Sequence, residues 1–226
     1  MKIDVLTLFP GMFDGVLGES ILKRAQKKGA VKITIHNLRD WTNDRHRTAD
    51  DKPFGGGPGM VMKVEPVYRA LEELKKKGKR QRARKILLTP QGKKLDQKLA
   101  KRLAKEKSLI LICGHYEGVD ERIREQADDE ISIGDYILTC GEIPALVLID
   151  AVVRLIPGVL GDRDSLNSES FENDLLEYPQ YTRPADFLGM KVPDVLVGGD
   201  HKKIEEWRKD QAIKKTRERR PDLLVS

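Results

Sequence analysis

The stretch from Ser108 to Gly158 constrains the fold of this 226-residue chain more than any other. Two short apolar runs, Leu109 to Cys113 and Ile131 to Leu138, each end in glycine and polar residues. An almost wholly apolar run, Ile143 to Ile156, follows them. Glycine at the end of a strand lets the backbone approach a ligand closely. Two such ends followed by a buried helix predict one wall of a small-molecule site.

The N-terminal residues predict the opening of an α/β domain with parallel strands. Lys2 to Phe9 predicts a strand, Ser20 to Lys28 a short helix, and residues 31–35 a half-buried strand, because apolar and polar residues alternate there. Glu65 to Lys77 predicts a further helix with one apolar face.

Strands and helices continue to alternate in the middle of the chain. Ile86 to Leu88 predicts a buried strand that is cut off by the T-P-Q-G sequence, and leucines at every fourth position from Leu95 to Leu103 predict an amphipathic helix. Three glycine-containing loops, 89–92, 114–118 and 139–142, then follow the carboxyl ends of strands. Open α/β sheets bind ligands at such ends, so the loops predict one pocket.

Residues 143–156 are apolar on every face, which predicts a buried helix. One sheet of a domain this small does not cover such a helix on all sides. A homodimer interface is therefore expected here.

The loop from Asn37 to Lys63 is polar at first and then rich in glycine and proline. It is either a flexible surface connection or a shaped loop whose backbone groups line a site. Arg45, Arg47 and Lys52 beside two aspartates favour polar recognition.

The net charge of +6 and the isoelectric point near 9.2 favour a polyanionic partner. Two basic segments contribute to this charge: residues 75–85, and a helix predicted to begin at His201 after the capping residue Asp200. Each segment is either a solvated surface or a contact to nucleic-acid phosphates.

Several functional classes lack their sequence signals. Neither G-x-G-x-x-G after a strand nor a Walker-type phosphate loop occurs, and the four histidines have no metal-ligand spacing, so neither a common nucleotide site nor a zinc site is predicted. Cys113 and Cys140 lie in apolar surroundings and no signal peptide opens the chain, which predicts a cytoplasmic protein. The longest apolar run, 143–156, is shorter than the roughly 20 residues that span a bilayer.

Composition changes after Gly158. Residues 161–174 are polar and serine-rich, as in an interdomain linker. We therefore expect a domain at 1–160, a flexible linker at 161–171 and a second domain at 172–226.

Several long motifs give this chain a resemblance to a known family. They are L-F-P-G-M-F, D-D-K-P-F-G-G-G-P-G-M, L-T-P-Q-G, G-H-Y-E-G-V-D-E-R, S-I-G-D-Y-I-L, G-E-I-P-A, R-L-I-P-G-V-L-G, Y-P-Q-Y-T-R-P and V-P-D-V-L-V-G-G-D-H. Together they span nearly the whole chain, which resembles bacterial tRNA (guanine-N1)-methyltransferases of the SPOUT methyltransferase superfamily.

The resemblance implies an α/β fold with a SPOUT-type parallel sheet, a deep trefoil knot and a small, mainly helical C-terminal domain that binds tRNA. It implies S-adenosyl-L-methionine as methyl donor and N1 of guanosine-37, directly 3′ of the tRNA anticodon, as acceptor. It further implies a homodimer with active sites at the interface, and magnesium dependence without a dedicated protein site.

The resemblance also implies roles for particular residues. In the family an acid in the linker removes the N1 proton and an arginine at the end of the long helix stabilises O6 of the guanine; here these are Glu169 and Arg154. The residues implied to bind S-adenosyl-L-methionine are Leu88, Pro90, Gly114, Tyr116, Glu117, Gly118, Ile133, Gly134, Asp135, Tyr136, Ile137, Leu138, Gly141 and Pro144. Residues expected to contact tRNA are Asp50, Lys52, Arg183 and Arg208.

This chain departs from the commonest family pattern at three positions. Glu169 stands where aspartate is usual, so Asp164 and Glu177 are alternative bases. Cys140 replaces a glycine beside the donor pocket, and Phe54 replaces a tyrosine in the glycine-rich loop.

Two other functions stay open on the sequence alone. A non-catalytic RNA-binding protein would use the two basic segments and would have no affinity for the methyl donor. A SPOUT methyltransferase acting on another RNA would keep the donor pocket and modify a different nucleotide.

Overall fold

The computed structural model describes residues 1–77, 83–161 and 168–224. The basic segment 75–85 and the linker 161–171 therefore lie partly outside the described residues, and Asp164 lies wholly outside them. Contacts between Cα atoms divide the chain into two compact units, Met1–Leu160 and Gly161–Ser226.

The first unit is built on a five-stranded, wholly parallel sheet. Its strands are β1 (Lys2–Thr7), β2 (Lys32–Asn37), β5 (Arg84–Lys94), β6 (Ser108–Cys113) and β7 (Asp129–Ser132), in the spatial order β2-β1-β6-β5-β7. A small antiparallel ladder joins β3 (Asp50–Asp51) to β4 (Val61–Met62). The parallel α/β architecture predicted from the sequence is confirmed.

Helices cover both faces of this sheet, as all-parallel sheets require. The helices of the first unit are α1 (Asp14–Leu17), α2 (Ser20–Lys27), α3 (Val64–Lys77), α4 (Gln97–Leu103), α5 (Glu121–Arg124) and α6 (Glu142–Val153). One apolar cluster holds residues of α2, α4 and α6, and a second holds residues of α3 and α5.

The strands contribute side chains to both clusters, because successive side chains point to opposite faces of a sheet. In β6, Leu109 and Leu111 belong to the cluster with α6, whereas Ile110 and Ile112 belong to the cluster with α3. This explains why the central strand β6 is a continuous apolar run from Leu109 to Cys113.

Two predicted elements differ from the observed ones. β5 is not cut off at the T-P-Q-G sequence but continues to Lys94, with a register shift against β7 between Leu88 and Lys93. The predicted strand over 131–138 ends early, since β7 stops at Ser132 and the following residues form a loop. An apolar run does not distinguish an extended loop from a strand, because successive side chains of both point to opposite sides of the backbone.

The second unit contains a hairpin and a long basic helix. Its elements are β8 (Asp186–Phe187), β9 (Met190–Lys191), α7 (Asp194–Val197) and α8 (His201–Arg219), with 3-10 turns at Glu172–Asp174 and Pro221–Leu224. The predicted cap of α8 is confirmed, because the Asp200 side chain accepts a hydrogen bond from the backbone N–H of Lys203. The buried Thr216 hydroxyl accepts from the backbone N–H of Leu176 at 2.9 Å and ties α8 to the segment before it.

Over the three described ranges, no helix combines the length and the apolar character needed to cross a membrane.

Candidate active site

A concave site of the first unit lies at the carboxyl ends of β6 and β7 and beside the register shift within β5. It is a cavity of about 200 Å³. Its lining residues come from the loop inside β5, the loop after β6 and the segment that joins β7 to α6. They are Leu87, Leu88, Thr89, Pro90, Gln91, Gly114, His115, Tyr116, Glu117, Gly118, Val119, Arg124, Ile131, Ser132, Ile133, Gly134, Tyr136, Ile137, Leu138, Thr139, Cys140, Gly141 and Pro144.

This cavity brings together all but one of the residues expected to hold the methyl donor. The exception is Asp135, which lies outside the lining and whose carboxylate pairs with the Lys94 ammonium at 2.7 Å. The three glycine loops identified in the sequence therefore do meet in space.

Direct backbone contact holds two of these loops together. The N–H of Gly141 donates to the carbonyl of Gly114 at 2.7 Å, and His115 forms an isolated antiparallel bridge with Cys140. A Cβ atom on Gly141 would lie 2.6 Å from the Gly114 nitrogen and 2.9 Å from the Cα of Cys113. Only glycine permits this approach, so residue 141 is a packing requirement of the cavity wall.

Two other glycines of the lining present bare backbone for a conformational reason. Gly118 has a φ of +147° and Gly134 a φ of +156°, values that residues with a Cβ rarely adopt. At both positions the cavity is therefore bordered by peptide groups, which can donate and accept hydrogen bonds with a ligand.

Aromatic rings order one side of the cavity. The His115 ring lies 4.6 Å from the Phe9 ring and 4.8 Å, edge-on, from the Tyr116 ring. Tyr116 has a left-handed backbone with φ of +63°. Burial raises the pKa of the Tyr116 hydroxyl, and the neighbouring carboxylate of Asp50 raises it further.

A buried carboxylate supports the cavity from behind. Glu142, in the first turn of α6, is fully buried, and one of its oxygens accepts a hydrogen bond from the Thr7 hydroxyl at 2.5 Å. The Thr7 hydroxyl in turn accepts from the N–H of Phe9 at 2.9 Å. This chain of hydrogen bonds anchors the start of α6 to β1. The Glu142 carboxylate also adds to the effect of burial, which raises the pKa of the Cys113 thiol well above its ordinary value.

The glycine-rich loop docks on the same side of the sheet. The N–H of Glu117 donates to the carbonyl of Met60, and the N–H of Met62 donates to the carbonyl of Gly118, both at 3.0 Å. The Glu117 side chain covers Gly59 so closely that a Cβ there would lie 2.4 Å from its Cγ. The loop thus has a defined position beside the cavity, as the shaped-loop interpretation requires.

Ten lining residues are not among those expected to bind the donor, although five of them lie in the three predicted loops. Most of them directly neighbour an expected residue, so extending each motif by one position would have found them. Arg124 is different, because it enters from α5 and its guanidinium pairs with Glu130 and Glu121. The lining residues that were not expected are Leu87, Thr89, Gln91, His115, Val119, Arg124, Ile131, Ser132, Thr139 and Cys140.

Helix α6 also carries a partly exposed stripe. Ile143 and Val147 are 42% and 43% exposed, and they share one face of the helix with Arg154, which follows at the C-terminal cap. Arg154 is 13 residues after Gly141, so a helical rise of 1.5 Å per residue separates them by about 20 Å. Arg154 does not line the cavity.

In the second unit, Glu169 lines a surface recess between the segment 168–178 and α8. Arg208 and Glu177, the alternative acid, line the same recess. The Arg208 guanidinium lies 4.7 Å from the centre of the Tyr178 ring. Arg183 is exposed and does not line the recess.

The remaining expected RNA contacts belong to the glycine-rich loop. Asp50 is half-buried in β3, opposite Met62, and Lys52 is exposed one residue beyond the strand. Among the described residues, no group of three or more His, Cys, Asp and Glu side chains has an arrangement able to hold a metal ion.

A parallel α/β sheet with a backbone-lined cavity at its carboxyl edge places this chain among α/β proteins with the architecture in which ligands bind at strand ends. Its sequence identifies it more closely. Residues 1–226 match the model of the family described as tRNA (guanine-1)-methyltransferase TrmD, and the chain belongs to that family.

Curated relatives are similar to this chain along almost its full length. The chain is 58% identical over 224 residues to a protein of Dictyoglomus turgidum and 60% identical over 225 residues to one of Carboxydothermus hydrogenoformans. These alignments cover 99% of this chain and 90% and 87% of the relatives. A Bacillus cereus protein is 56% identical over 225 residues, covering 99% of this chain and 92% of that protein. All three relatives are named tRNA (guanine-N(1)-)-methyltransferase. This chain is accordingly a methyltransferase.

Proposed function

We propose that this enzyme transfers a methyl group from S-adenosyl-L-methionine to N1 of guanosine-37 in tRNA. The observation that carries the proposal is the meeting of three loops in one backbone-lined cavity, in a chain whose relatives at 56–60% identity are tRNA (guanine-N(1)-)-methyltransferases.

The cavity residues fit the proposed donor chemically. Leu88, Ile133 and Leu138 offer apolar contact for an adenine ring, and the peptide groups at Gly118 and Gly134 offer polar contacts of the kind that nucleosides need. The fit is also supported by a polar atom that has no partner, because Nδ1 of His115 is buried without a hydrogen bond among the described residues. A polar group of a bound ligand would satisfy it.

When bound, S-adenosyl-L-methionine supplies a methyl group on a positively charged sulfur, which leaves as a neutral thioether. Guanine N1 is a poor nucleophile because it carries a proton. In our proposal the carboxylate of Glu169 takes that proton as the N1–CH₃ bond forms. Negative charge develops on O6 as the proton leaves N1, and the guanidinium of Arg154 stabilises it by donating hydrogen bonds until the methyl group neutralises it.

We propose that the active site is completed by a second copy of the chain. Along α6, Arg154 is about 20 Å from the cavity wall at Gly141, too far for both to reach one methyl group. The apolar stripe of Ile143 and Val147 leads towards Arg154 and would be covered in a homodimer. A partner related by two-fold symmetry would then offer its own Arg154 to this cavity.

The other expectations form part of the same proposal. The three loops that line the cavity would pass through the trefoil knot that the resemblance implies. We place the methyl-transfer domain at 1–160, the linker at 161–171 and the tRNA-binding domain at 172–226, where Arg183 and Arg208 would contact tRNA together with Asp50 and Lys52. We place the enzyme in the cytoplasm because its proposed substrate is tRNA. Any magnesium would act without a dedicated protein site.

Methyl transfer to an unmodified tRNA transcript tests the proposal. With labelled S-adenosyl-L-methionine, we expect the label at N1 of guanosine-37, mapped by nuclease digestion and mass spectrometry, and none in a transcript with adenosine at that position. Label at another nucleotide would make this a methyltransferase of a different RNA site. Salt-sensitive tRNA binding with no donor affinity in calorimetry would make it a non-catalytic RNA-binding protein.

Variants test the assigned roles. In single-turnover reactions Arg154→Ala is expected to lower the rate about 10²- to 10³-fold, as for loss of an oxyanion donor. Glu169→Gln is expected to lower it about 10²- to 10⁴-fold, as for loss of a general base. Glu205→Gln, in the same recess as Glu169, is the matched control and should keep full activity. If Glu169→Gln stays active and Glu177→Gln does not, the base has been assigned to the wrong residue.

A further inference from the structure

The side chain of Phe54, on the glycine-rich loop, projects fully into solvent. It is 101% exposed, more than any other large apolar side chain in the described part of the protein. Holding an aromatic ring in water sacrifices the stabilisation that its burial would give. A solvent-facing ring in a loop of defined shape suggests a ligand that covers it.

The backbone around Phe54 has a specific shape. Gly55, Gly56 and Gly57 follow it with φ values of +85°, +79° and +122°, and the N–H of Gly56 closes a turn onto the carbonyl of Pro53 at 3.2 Å. A fourth glycine, Gly59, also has a positive φ, of +78°, and is covered by Glu117 of the cavity lining. The turn that carries the ring is therefore attached to the wall of the candidate active site.

The loop that carries the ring also carries exposed cationic side chains. Arg45, Arg47 and Lys52 are exposed on the same loop, and across the described residues neither Arg45 nor Lys52 forms an ion pair. The nearby acids are engaged locally: Asp44 accepts from the hydroxyl and N–H of Thr48, and the Asp51 carboxylate accepts from the N–H of Lys52. The loop thus carries an exposed aromatic ring together with two cationic side chains, Arg45 and Lys52, that form no ion pair among the described residues.

We propose that Phe54 stacks on an unpaired nucleobase of the RNA substrate next to the guanosine that is methylated. A nucleobase offers a flat face to the ring, and the phosphates of the RNA backbone match the exposed cations of the loop. Stacking needs no base-specific hydrogen bond, so Phe54 would hold the RNA loop in place rather than read its sequence. This inference rests on the proposed function, because it takes tRNA as the substrate.

The test compares Phe54→Leu, Phe54→Tyr and the wild-type enzyme. Leucine keeps the apolar character and removes the aromatic face, whereas tyrosine keeps the face. We expect Phe54→Leu to lower tRNA affinity and kcat/KM by about 5- to 100-fold, the range for loss of one base–aromatic stack. Phe54→Tyr should keep the wild-type tRNA affinity and kcat/KM. The donor affinity of both variants should stay within about twofold of wild type, because the ring is outside the cavity lining.

A fluorescent base analogue reports stacking directly. With 2-aminopurine placed in turn at each unpaired anticodon-loop position, wild type and Phe54→Tyr should change the fluorescence of one position on binding, and Phe54→Leu should not. Tyr68→Leu is the matched control, because Tyr68 is a half-exposed aromatic residue of the same unit, 49% exposed, that lies on α3 and not on the glycine-rich loop.

Three outcomes would overturn the inference. Phe54→Leu with wild-type tRNA affinity would exclude stacking, loss of donor affinity alone would assign the ring to the cofactor site, and a changed sedimentation coefficient would assign it to a protein interface. These results differ from failure of the proposed function, in which the wild-type enzyme itself would not methylate tRNA.

Discussion

Replacing Gly141 by alanine probes how closely the cavity loops must approach. The φ of Gly141 is −84°, which alanine adopts without strain, so any effect is steric. The added Cβ would lie 2.6 Å from the nitrogen of Gly114 and 2.9 Å from the Cα of Cys113, and both are backbone atoms that cannot rotate away. The loops would have to separate and lose the 2.7 Å hydrogen bond between Gly141 and Gly114.

The size of the effect follows from these two losses. Overpacking of a tight site costs about 1–3 kcal/mol, and a lost backbone hydrogen bond about 1 kcal/mol. The sum of about 2–4 kcal/mol corresponds to a Tm lowered by about 5–15 °C for a chain of this length. Donor affinity should fall as well, because the wall at Gly141 moves.

Thermal unfolding at one fixed protein concentration and calorimetry with S-adenosyl-L-methionine measure both effects. Gly15→Ala is the control, because Gly15 lies in α1 with nothing within 4 Å of the point where an alanine Cβ would lie, and this variant should keep its Tm or raise it slightly. A Gly141→Ala protein with the wild-type Tm and donor affinity would refute the packing argument.

Two further predictions concern buried polar groups. Thr7→Val should lower the free energy of unfolding by about 1–3 kcal/mol in urea titrations, because it removes the hydrogen bond to the buried Glu142; wild-type stability would show that this bond contributes nothing. Burial raises the pKa of Asp4, but hydrogen bonds from His36 and Lys2 outweigh it and set the pKa below the ordinary value of 3.8. The ionised Asp4 then stabilises the fold above about pH 4, and this contribution is lost as the pH falls through its folded pKa. The free energy of unfolding of Asp4→Asn should therefore be lower than that of wild type at pH 7 and should change less with pH below pH 4. A urea-derived stability profile parallel to that of wild type would contradict this.

The sequence could predict the layers of the fold because they depend on local patterns. Apolar runs at 109–113 and alternating residues at 31–35 predicted the strands now seen at Ser108–Cys113 and Lys32–Asn37, and the every-fourth spacing of Leu99 and Leu103 predicted a helix. The clustering of the three glycine loops was also predictable, because parallel strands end at one edge of a sheet.

Features that depend on distant partners could not be predicted from local patterns. Gly92 is a packing requirement only because β7 passes so close that a Cβ would lie 2.4 Å from the Ile131 nitrogen. Glu142 would be expected on the surface, yet it is fully buried because Thr7, 135 residues earlier, satisfies one of its oxygens. The exposure of Phe54 could not be predicted either, since neither the neighbouring residues nor the residue type phenylalanine distinguishes a buried ring from a solvent-facing one.

The strand order has a consequence for synthesis of the chain. β1 pairs with β2 soon after it is made, but its other neighbour, β6, ends at Cys113. At about 5–20 residues per second, the ribosome needs roughly 5–20 s to pass from β1 to β6. During that time β1 keeps one edge unpaired, and no ligand of the cavity can stabilise it, because Gly114 and Gly141 come later still. The first hundred residues therefore wait for β6 without help from the cavity, and an unpaired strand edge in this interval can pair with another chain.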